Sequence, residues 1–576
     1  MNMQIIFRFI RPHWKLFFLT IVMLVVDAGG ALYIPTIMAD MLNIGVTGGN
    51  VDYLLQKGLQ MLAVSLLSGA GAVFGGYVCA DLSAKIGRDM RNAIYQKSLT
   101  LSVSDYRQFG TASVTTRTLS DVAQIQQAVV MCIQIILPVP VISAIALYLA
   151  FRIDRFMGMI LIFAIVAILF FALFIMRKAT PLFRRLQKLL DKMNGVLREN
   201  ITGVRVIRAF NKEKNEEKRL EDTFSEYADT AIRANRMFAN LDGLSFFILN
   251  MFVVAVMWLC GGRITEGYMQ IGDITALIEY AFLTLFYIMM AQMVILLLPR
   301  ARTCCERVGE ILEYSPEISD AVRVKTIGEA TEEVLSFCHV AFRFSDAEES
   351  TLEDIDFTCR RGETTAIIGG TGSGKSTIAS LILRFHEVTG GEILLHGINI
   401  KDLPQEVLRQ RIGYVQQKAW LFSGTIRENL CYGRQDAADE ELWHALQTAQ
   451  AEDFVRKLPK GLDSFVAQGG NNFSGGQRQR LSIARAFVKR PELYIFDDSF
   501  SALDFKTDAA LRKAMKKNVG EAAVLIIAQR ISSIVDADKI IVLDDGKIVG
   551  TGTHTQLMDS CAVYREIYES QTKEAQ

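Results

Sequence analysis

Apolar positions divide the chain into two halves with different periods. Up to residue 300 they run in long stretches, near 16–38, 55–79, 127–150, 156–176, 238–261 and 273–298. Each stretch approaches or exceeds the roughly 20 residues that carry a helix across about 30 Å of hydrocarbon, so the pattern predicts six spanning helices. From about Val322 the runs shorten and become β-branched: Glu333 to Phe344, Thr364 to Ile368, Glu392 to Leu395, Leu493 to Phe496, Val524 to Ile527 and Ile540 to Leu543. Helical stretches separate them, which predicts an α/β domain. The expected layout is a membrane domain over 1–315, a linker over 316–330 and an α/β domain over 331–576.

The connections between the spans alternate in charge. Segment 42–53 has no basic residue, and 151–155 and 262–272 carry only Arg152, Arg155 and Arg263. The long connections are basic: 80–126 holds Arg88, Arg91, Lys97, Arg107 and Arg117, and 177–237 holds Lys178, Arg184, Arg185, Arg205 and Arg208 among others. Basic connections stay in the cytoplasm, which places both termini there. Ile5 to Pro12, with Arg8 and Arg11 among apolar residues, reads as an interfacial helix. The apolar run from Leu16 has no small-residue cleavage site in reach and reads as a span, not a signal peptide. Both long connections keep helical periodicity except at Ser104–Ser113 and Asn200–Phe210. A turn between antiparallel helices would give such breaks, and so would a docking helix that meets the soluble half. Their place at the tips furthest from the membrane favours docking.

Lysine plus arginine and aspartate plus glutamate both number 62, so no global attraction to nucleic acid is expected. The nine cysteines form no Cys-x-x-Cys pair, so neither a zinc site nor a disulfide framework is expected. His13, His386, His396 and His554 have no ligand spacing.

The chemistry begins at Gly369–Thr377, GGTGSGKST, which fits the phosphate loop Gly-x-x-x-x-Gly-Lys-Ser/Thr. It follows the apolar run Thr364–Ile368 and opens an expected helix over Ser376–Leu383. The loop residues Gly369, Gly370, Thr371, Gly372, Ser373 and Gly374 bring backbone N–H groups to phosphates, and the helix N-terminus at Ser376 and Thr377 adds positive potential. Lys375 is expected on the β- and γ-phosphates and Ser376 on magnesium. ATP and Mg2+ are the expected ligands.

Further motifs stand in a recognisable order. Phe473-Ser474-Gly475-Gly476-Gln477 resembles the signature of ATP-binding cassettes and is followed by Arg478-Gln479-Arg480-Leu481. An apolar run ends in Asp497, and Ser501-Ala502-Leu503-Asp504 looks like the loop after that strand. Six spans fused ahead of one cassette resemble a half-size ABC exporter of the multidrug and lipid type, over the whole chain. The resemblance implies roles residue by residue. Phe344 stands where the family stacks an aromatic on adenine, usually Tyr. Gln417 matches the glutamine that reaches magnesium and the attacking water, and Asp497 the carboxylate that holds magnesium. Ser474, Gly475 and Gly476, flanked by Phe473 and Gln477, would clamp the γ-phosphate of an ATP on another subunit, with Asp504 beside them.

Departures from the pattern carry as much information. The position after Asp497 is usually Glu, which polarises the attacking water; here it is Asp498. A carboxylate one methylene shorter falls short by more than ~1 Å, which can cost ~100-fold in rate. The position usually held by His is Gln529, which hydrogen-bonds without positive charge. Gln468 stands where Glu is usual and Gln416 where Pro is common. Magnesium and phosphate ligands are kept, so this site is expected to bind ATP and hydrolyse it slowly. Cassettes pair head to tail. The resemblance therefore implies one subunit of a bacterial heterodimeric multidrug exporter, whose partner half-transporter supplies the normal Glu and His against this signature. Its expected setting is a bacterial inner or plasma membrane, its substrate a hydrophobic or amphipathic small molecule. A homodimeric lipid flippase and an ATP-switched regulatory subunit are the alternatives.

Within the spans, Asp27 lies mid-helix, where a carboxylate is costly. It fits either a cation or proton-coupled substrate contact or a hydrogen bond to a neighbouring helix. Glu279 poses the same choice nearer the outer end. Phe282, Phe286, Tyr287, Met289, Met290 and Met293 at helical spacing fit an adaptable cavity or a lipid-facing stripe. Gly69, Gly71, Gly75 and Gly76 suggest close helix packing.

Overall fold

The computed structural model describes residues 3–295, 297–320, 331–345 and 347–574. The chain forms two compact units, one of Met1–Leu99 with Gly110–Tyr314, the other of Thr100–Phe109 with Ser315–Gln576. Residues 321–330 of the expected linker lie outside the described residues.

The first unit is helical. Six segments are long and apolar enough to cross a membrane: Ile5–Val46, Val51–Thr100, Thr111–Ile153, Arg155–Ile175, Gly243–Thr265 and Ile271–Ile295. They overlap all six expected spans; the first three contain them, the fourth ends at Ile175, the fifth begins at Gly243 where 238 was expected, and the sixth ends at Ile295, short of 298. The unit is apolar outside as well as in. Trp258, Val73, Phe163 and Tyr77 are exposed, while Met157, Leu161, Ile168, Val256, Leu277 and Leu285 pack together inside. Of the four glycines singled out in the second span, Gly71 and Gly75 meet the first helix closely, at 3.3 Å and 3.1 Å from a hypothetical Cβ, whereas Gly69 and Gly76 face open space. Close packing therefore explains two of the four.

Three helices run far past the length of a span, Arg155–Thr202 with 48 residues among them. Val51–Thr100 has 50 residues, about 75 Å at 1.5 Å per residue. Glu213–Thr265 has 53. Short helices stand at both expected breaks, Val103–Phe109 and Val204–Ala209. Gly110, with φ of 74°, ends the first. That first helix belongs to the second unit, where Ser104 Oγ donates to Glu317 Oε2 at 2.5 Å. The second helix buries none of its residues.

The second unit is α/β. Its strands are β1 (Glu333–Phe342), β2 (Leu352–Arg360), β3 (Thr364–Gly369), β4 (Gly390–Leu395), β5 (Ile398–Asn399), β6 (Ile412–Val415), β7 (Gly424–Thr425), β8 (Phe465–Val466), β9 (Leu493–Asp497), β10 (Ala523–Ile527), β11 (Lys539–Asp544) and β12 (Lys547–Gly552). The core sheet has the order β12-β11-β3-β10-β9-β6. The five strands from β11 to β6 are parallel, and β12 adds antiparallel to β11. β9 and β10 are buried throughout, as unbroken apolar runs in a covered parallel sheet should be. A second, antiparallel sheet has the order β2-β1-β4-β5.

Candidate nucleotide site

Register decides what meets at the carboxyl edge of the core sheet. Ile527 pairs with Asp497 and with Ile367, Val415 with Phe496, and Leu543 with Gly369. The loops leaving β3, β6, β9 and β10 therefore open side by side, where parallel sheets hold their ligands. They carry Gly369–Thr377, Gln417, Asp498 and Gln529 respectively.

The phosphate loop joins β3 to the helix Lys375–Ile382. Gly372 and Gly374 have φ of 87° and 95°. A Cβ on Gly374 would fall 2.6 Å from Leu352 Cδ2, and one on Gly369 2.1 Å from the Leu543 carbonyl oxygen. Glycine is thus required at 374 by both backbone and space. A Cβ on Gly370 or Gly372 would meet nothing within 4 Å, so the loop's outer edge is open to a ligand. Lys375 is buried and its Nζ donates to the carbonyls of Gly369 at 2.9 Å and Gly370 at 2.6 Å. Burial lowers its pKa, against the pull of Asp498 and Asp497. Ser373 Oγ donates to the Gly370 carbonyl at 2.9 Å.

Ser376 and Asp497 lie together, Ser376 Oγ donating to Asp497 Oδ1 at 2.9 Å. Tyr414 Oη donates to the other oxygen at 3.3 Å. Burial raises the pKa of Asp497, and the two hydroxyls offset part of that rise. A hydroxyl beside a carboxylate at a phosphate loop is a donor set suited to Mg2+, a hard cation that prefers oxygen.

Next along, Asp498 has φ of 46°, the left-handed region. Its N–H donates to the Ile527 carbonyl at 2.8 Å, and Ser501 Oγ donates to its carbonyl at 2.8 Å. Its Oδ2 accepts from Gln417 Nε2 at 2.9 Å. Gln529 is exposed, and its backbone is bracketed by Gln571: Gln571 Nε2 donates to the Gln529 carbonyl at 2.6 Å, and Ile531 N–H donates to Gln571 Oε1 at 2.9 Å. Sequence reasoning missed Gln571, because a lone glutamine near a chain end carries no motif. It also missed Tyr414, which reads only as a strand residue.

Phe344 packs edge-on between Phe342 and His386, at ring distances of 4.8 Å and 5.3 Å, and stays half-buried. The signature residues split. Ser474 caps the helix Gly475–Lys489, with Ser474 Oγ accepting from Gln477 N–H and Gln477 Oε1 accepting from Ser474 N–H. That box aims the helix N-terminus outward. Nothing lies within 4 Å of a Cβ on Gly475, so its backbone is approachable. Phe473 is buried against Phe454, so its ring anchors the loop. Asp504 caps the next helix by accepting from Thr507 N–H at 3.0 Å, which lowers its pKa. A cavity of about 560 Å³ in this unit is lined by Val334, His396, Arg490 and Glu492 among others and includes none of these nucleotide residues.

Comparison with known proteins gives this arrangement a family. The ABC transporter transmembrane region matches residues 17–289 and the ABC transporter domain residues 352–501. An uncharacterized ABC transporter ATP-binding protein of Mycobacterium tuberculosis is 36% identical over 578 residues, covering 100% of this chain and 99% of its own. A Staphylococcus aureus protein whose name carries the words multidrug export ATP-binding/permease protein is 30% identical over 98% of this chain and 99% of its own. The solved structure of a bacterial Atm1-family ABC exporter with ATP bound superposes with a TM-score of 0.81 over 97% of this chain and 98% of that one, at 24% identity. With its exporter-type membrane domain of six apolar helices joined to an ATP-binding domain, this chain belongs to the ABC transporter family.

Proposed function

We propose that this half-size ABC exporter works as one subunit of a heterodimer that drives hydrophobic or amphipathic compounds out of a bacterial cell. Both termini face the cytoplasm. Its own ATP site binds tightly and turns over slowly, and its signature serves the partner's catalytic site.

The observation that carries this reading is the Asp498–Gln417 hydrogen bond of 2.9 Å. A general base must lie within hydrogen-bond reach of the water it polarises. Asp498 is a methylene shorter than the usual glutamate, and its Oδ2 is already engaged by the neighbouring glutamine. Gln529 offers the γ-phosphate a neutral donor only. The binding side of the site is complete. The loop N–H groups and Lys375 hold the phosphates, Phe344 offers a ring to adenine, and Ser376, Gln417 and Asp497 would hold Mg2+. The ion would neutralise phosphate charge. Ser474, Gly475, Gly476 and Gln477, with Asp504 nearby, would meet the partner's γ-phosphate through an approachable helix N-terminus. Drug-like cargo is supported by the name of the Staphylococcus aureus relative.

The test is ATP turnover in lipid of this chain alone, then with its co-expressed genetic neighbour, with native mass recorded for both. A nearly inactive lone chain and an active one-to-one pair are expected. A lone chain that forms a homodimer with ordinary exporter turnover would overturn the heterodimer.

A further inference from the structure

Asp27 is the fourteenth residue of the 27-residue helix Trp14–Asp40, so about 20 Å of helix separates it from either end. An aspartate is too short to reach either end of the helix, and a carboxylate in that setting needs a partner. Ser68 of the second span supplies one hydroxyl, donating to Asp27 Oδ1 at 2.9 Å and to its carbonyl oxygen at 3.1 Å. That explains why the acid packs against the second helix. It does not balance the charge, since a hydroxyl carries none. Among the described residues no Lys, Arg or His pairs with Asp27.

The acid stands on the wall of a cavity of about 340 Å³ within the membrane unit. Leu24, Ile133 and Ile142 make it apolar, Tyr287 adds an aromatic ring, and Gln134 adds a neutral polar group. Gly76 is also on the wall, where a Cβ would meet nothing within 4 Å, so glycine there leaves room. Pockets for drug-sized molecules start at roughly 300 Å³. An apolar chamber with one acid and one aromatic ring selects for positive charge spread over an apolar body, through ion pairing and the ring face.

We propose that this cavity binds a monovalent lipophilic cation, with Asp27 as its counter-ion. This rests on the export reading for its purpose but not for its test. The two long-open readings of Asp27 then become one: Ser68 holds the carboxylate in place, and the cation balances it.

The probe pair is tetraphenylphosphonium and tetraphenylborate, which share shape and lipophilicity and differ in sign. Saturable binding of each is measured without nucleotide, with the full chain in phosphatidylcholine nanodiscs. Wild type is expected to bind the cation saturably and to prefer it over the anion. Asp27→Asn should weaken cation binding about 30-fold or more, the cost of removing one partner of a desolvated charge pair. Asp27→Glu should keep it within about threefold, since the charge remains. Gly76→Leu should abolish binding by filling the chamber while Asp27 stays. It also guards against a misfolded Asp27→Asn, since leucine suits a helix interior. Absent saturable cation binding, equal binding by wild type and a folded Asp27→Asn, or equal binding of both ions would each overturn the site. Failure of the paired complex to accumulate any amphipath in inverted vesicles would sink the export reading alone.

Discussion

Gln417 Nε2 donates to Asp498 Oδ2 at 2.9 Å, joining the glutamine after β6 to the carboxylate after β9. The contact ties a group proposed to sense magnesium to the one proposed to activate water. It also occupies one oxygen of that short carboxylate. Asp498→Glu restores the missing methylene, so turnover at this site should rise at least ~10-fold, toward the ~100-fold that a misplacement of about 1 Å can cost. The measurement is ATP hydrolysis by the paired complex with the partner's own carboxylate disabled. No gain would mean that Gln529, not reach, limits the step.

Asp497 predicts a trade between stability and function. Its folded pKa is raised by burial, so the folded state holds the proton more tightly than the unfolded state. The sign follows from linkage: stability from this group is greatest below the unfolded pKa and falls as pH rises through the folded value. At neutral pH the charge is therefore a burden on the nucleotide-free protein. Asp497→Asn should raise its melting temperature, by roughly 2–4 °C for each kcal/mol recovered. The same variant should lose the stabilisation that Mg-ATP gives the wild type. A melting temperature that falls without nucleotide would contradict the burial argument.

Much of this was legible in the sequence because periodicity and spacing report directly on environment. Long apolar runs gave the six spans, and the strand–loop–helix setting of Gly369–Thr377 gave the phosphate site. What was not legible depends on distant packing. Asp498 has a positive φ and its backbone is hydrogen-bonded to Ile527 and Ser501, one on another strand and one on the following loop. The split among the second-span glycines depends on which of them face Met23 and Asp27. The stripe from Phe282 to Met293 resolved only in three dimensions: Phe282, Phe286, Met290 and Met293 are exposed, whereas Tyr287 lines the Asp27 cavity. Glu279 is exposed in the chain on its own.

Asp154 anchors the loop between the third and fourth spans in two ways. Its Oδ1 accepts from the N–H groups of Phe156 and Met157 at 2.8 Å and 3.0 Å, capping the helix Arg155–Thr202. Its Oδ2 accepts from Arg263 Nε at 2.9 Å. Losing the cap costs about 1 kcal/mol. Losing a partly exposed ion pair adds up to about 1 kcal/mol. Asp154→Ala should therefore lower thermal stability by about 2 kcal/mol in total. Asp154→Asn keeps the capping oxygen and should fall between. An Asn variant as unstable as Ala would assign the whole effect to Arg263.

Gln571 brackets the loop that carries Gln529, donating to the Gln529 carbonyl and accepting from Ile531 N–H. Its helix, Ala562–Glu574, is fixed from below by Tyr564, which is fully buried and hydrogen-bonded to His554 Nδ1 at 2.8 Å. The loop is thus held by a side chain from the chain's last helix. Gln571→Ala removes both bonds, each worth about 1 kcal/mol. Together they amount to about 2 kcal/mol, so local opening of this loop should become about 30-fold more frequent, since each 1.4 kcal/mol is a factor of ten. Hydrogen exchange followed by mass spectrometry reads this on the peptide containing Ile531, with β10 as the internal reference. Exchange should quicken in the loop and stay unchanged in Ala523–Ile527. If β10 quickens equally, the helix supports the whole sheet edge, and Gln571 has no particular hold on Gln529.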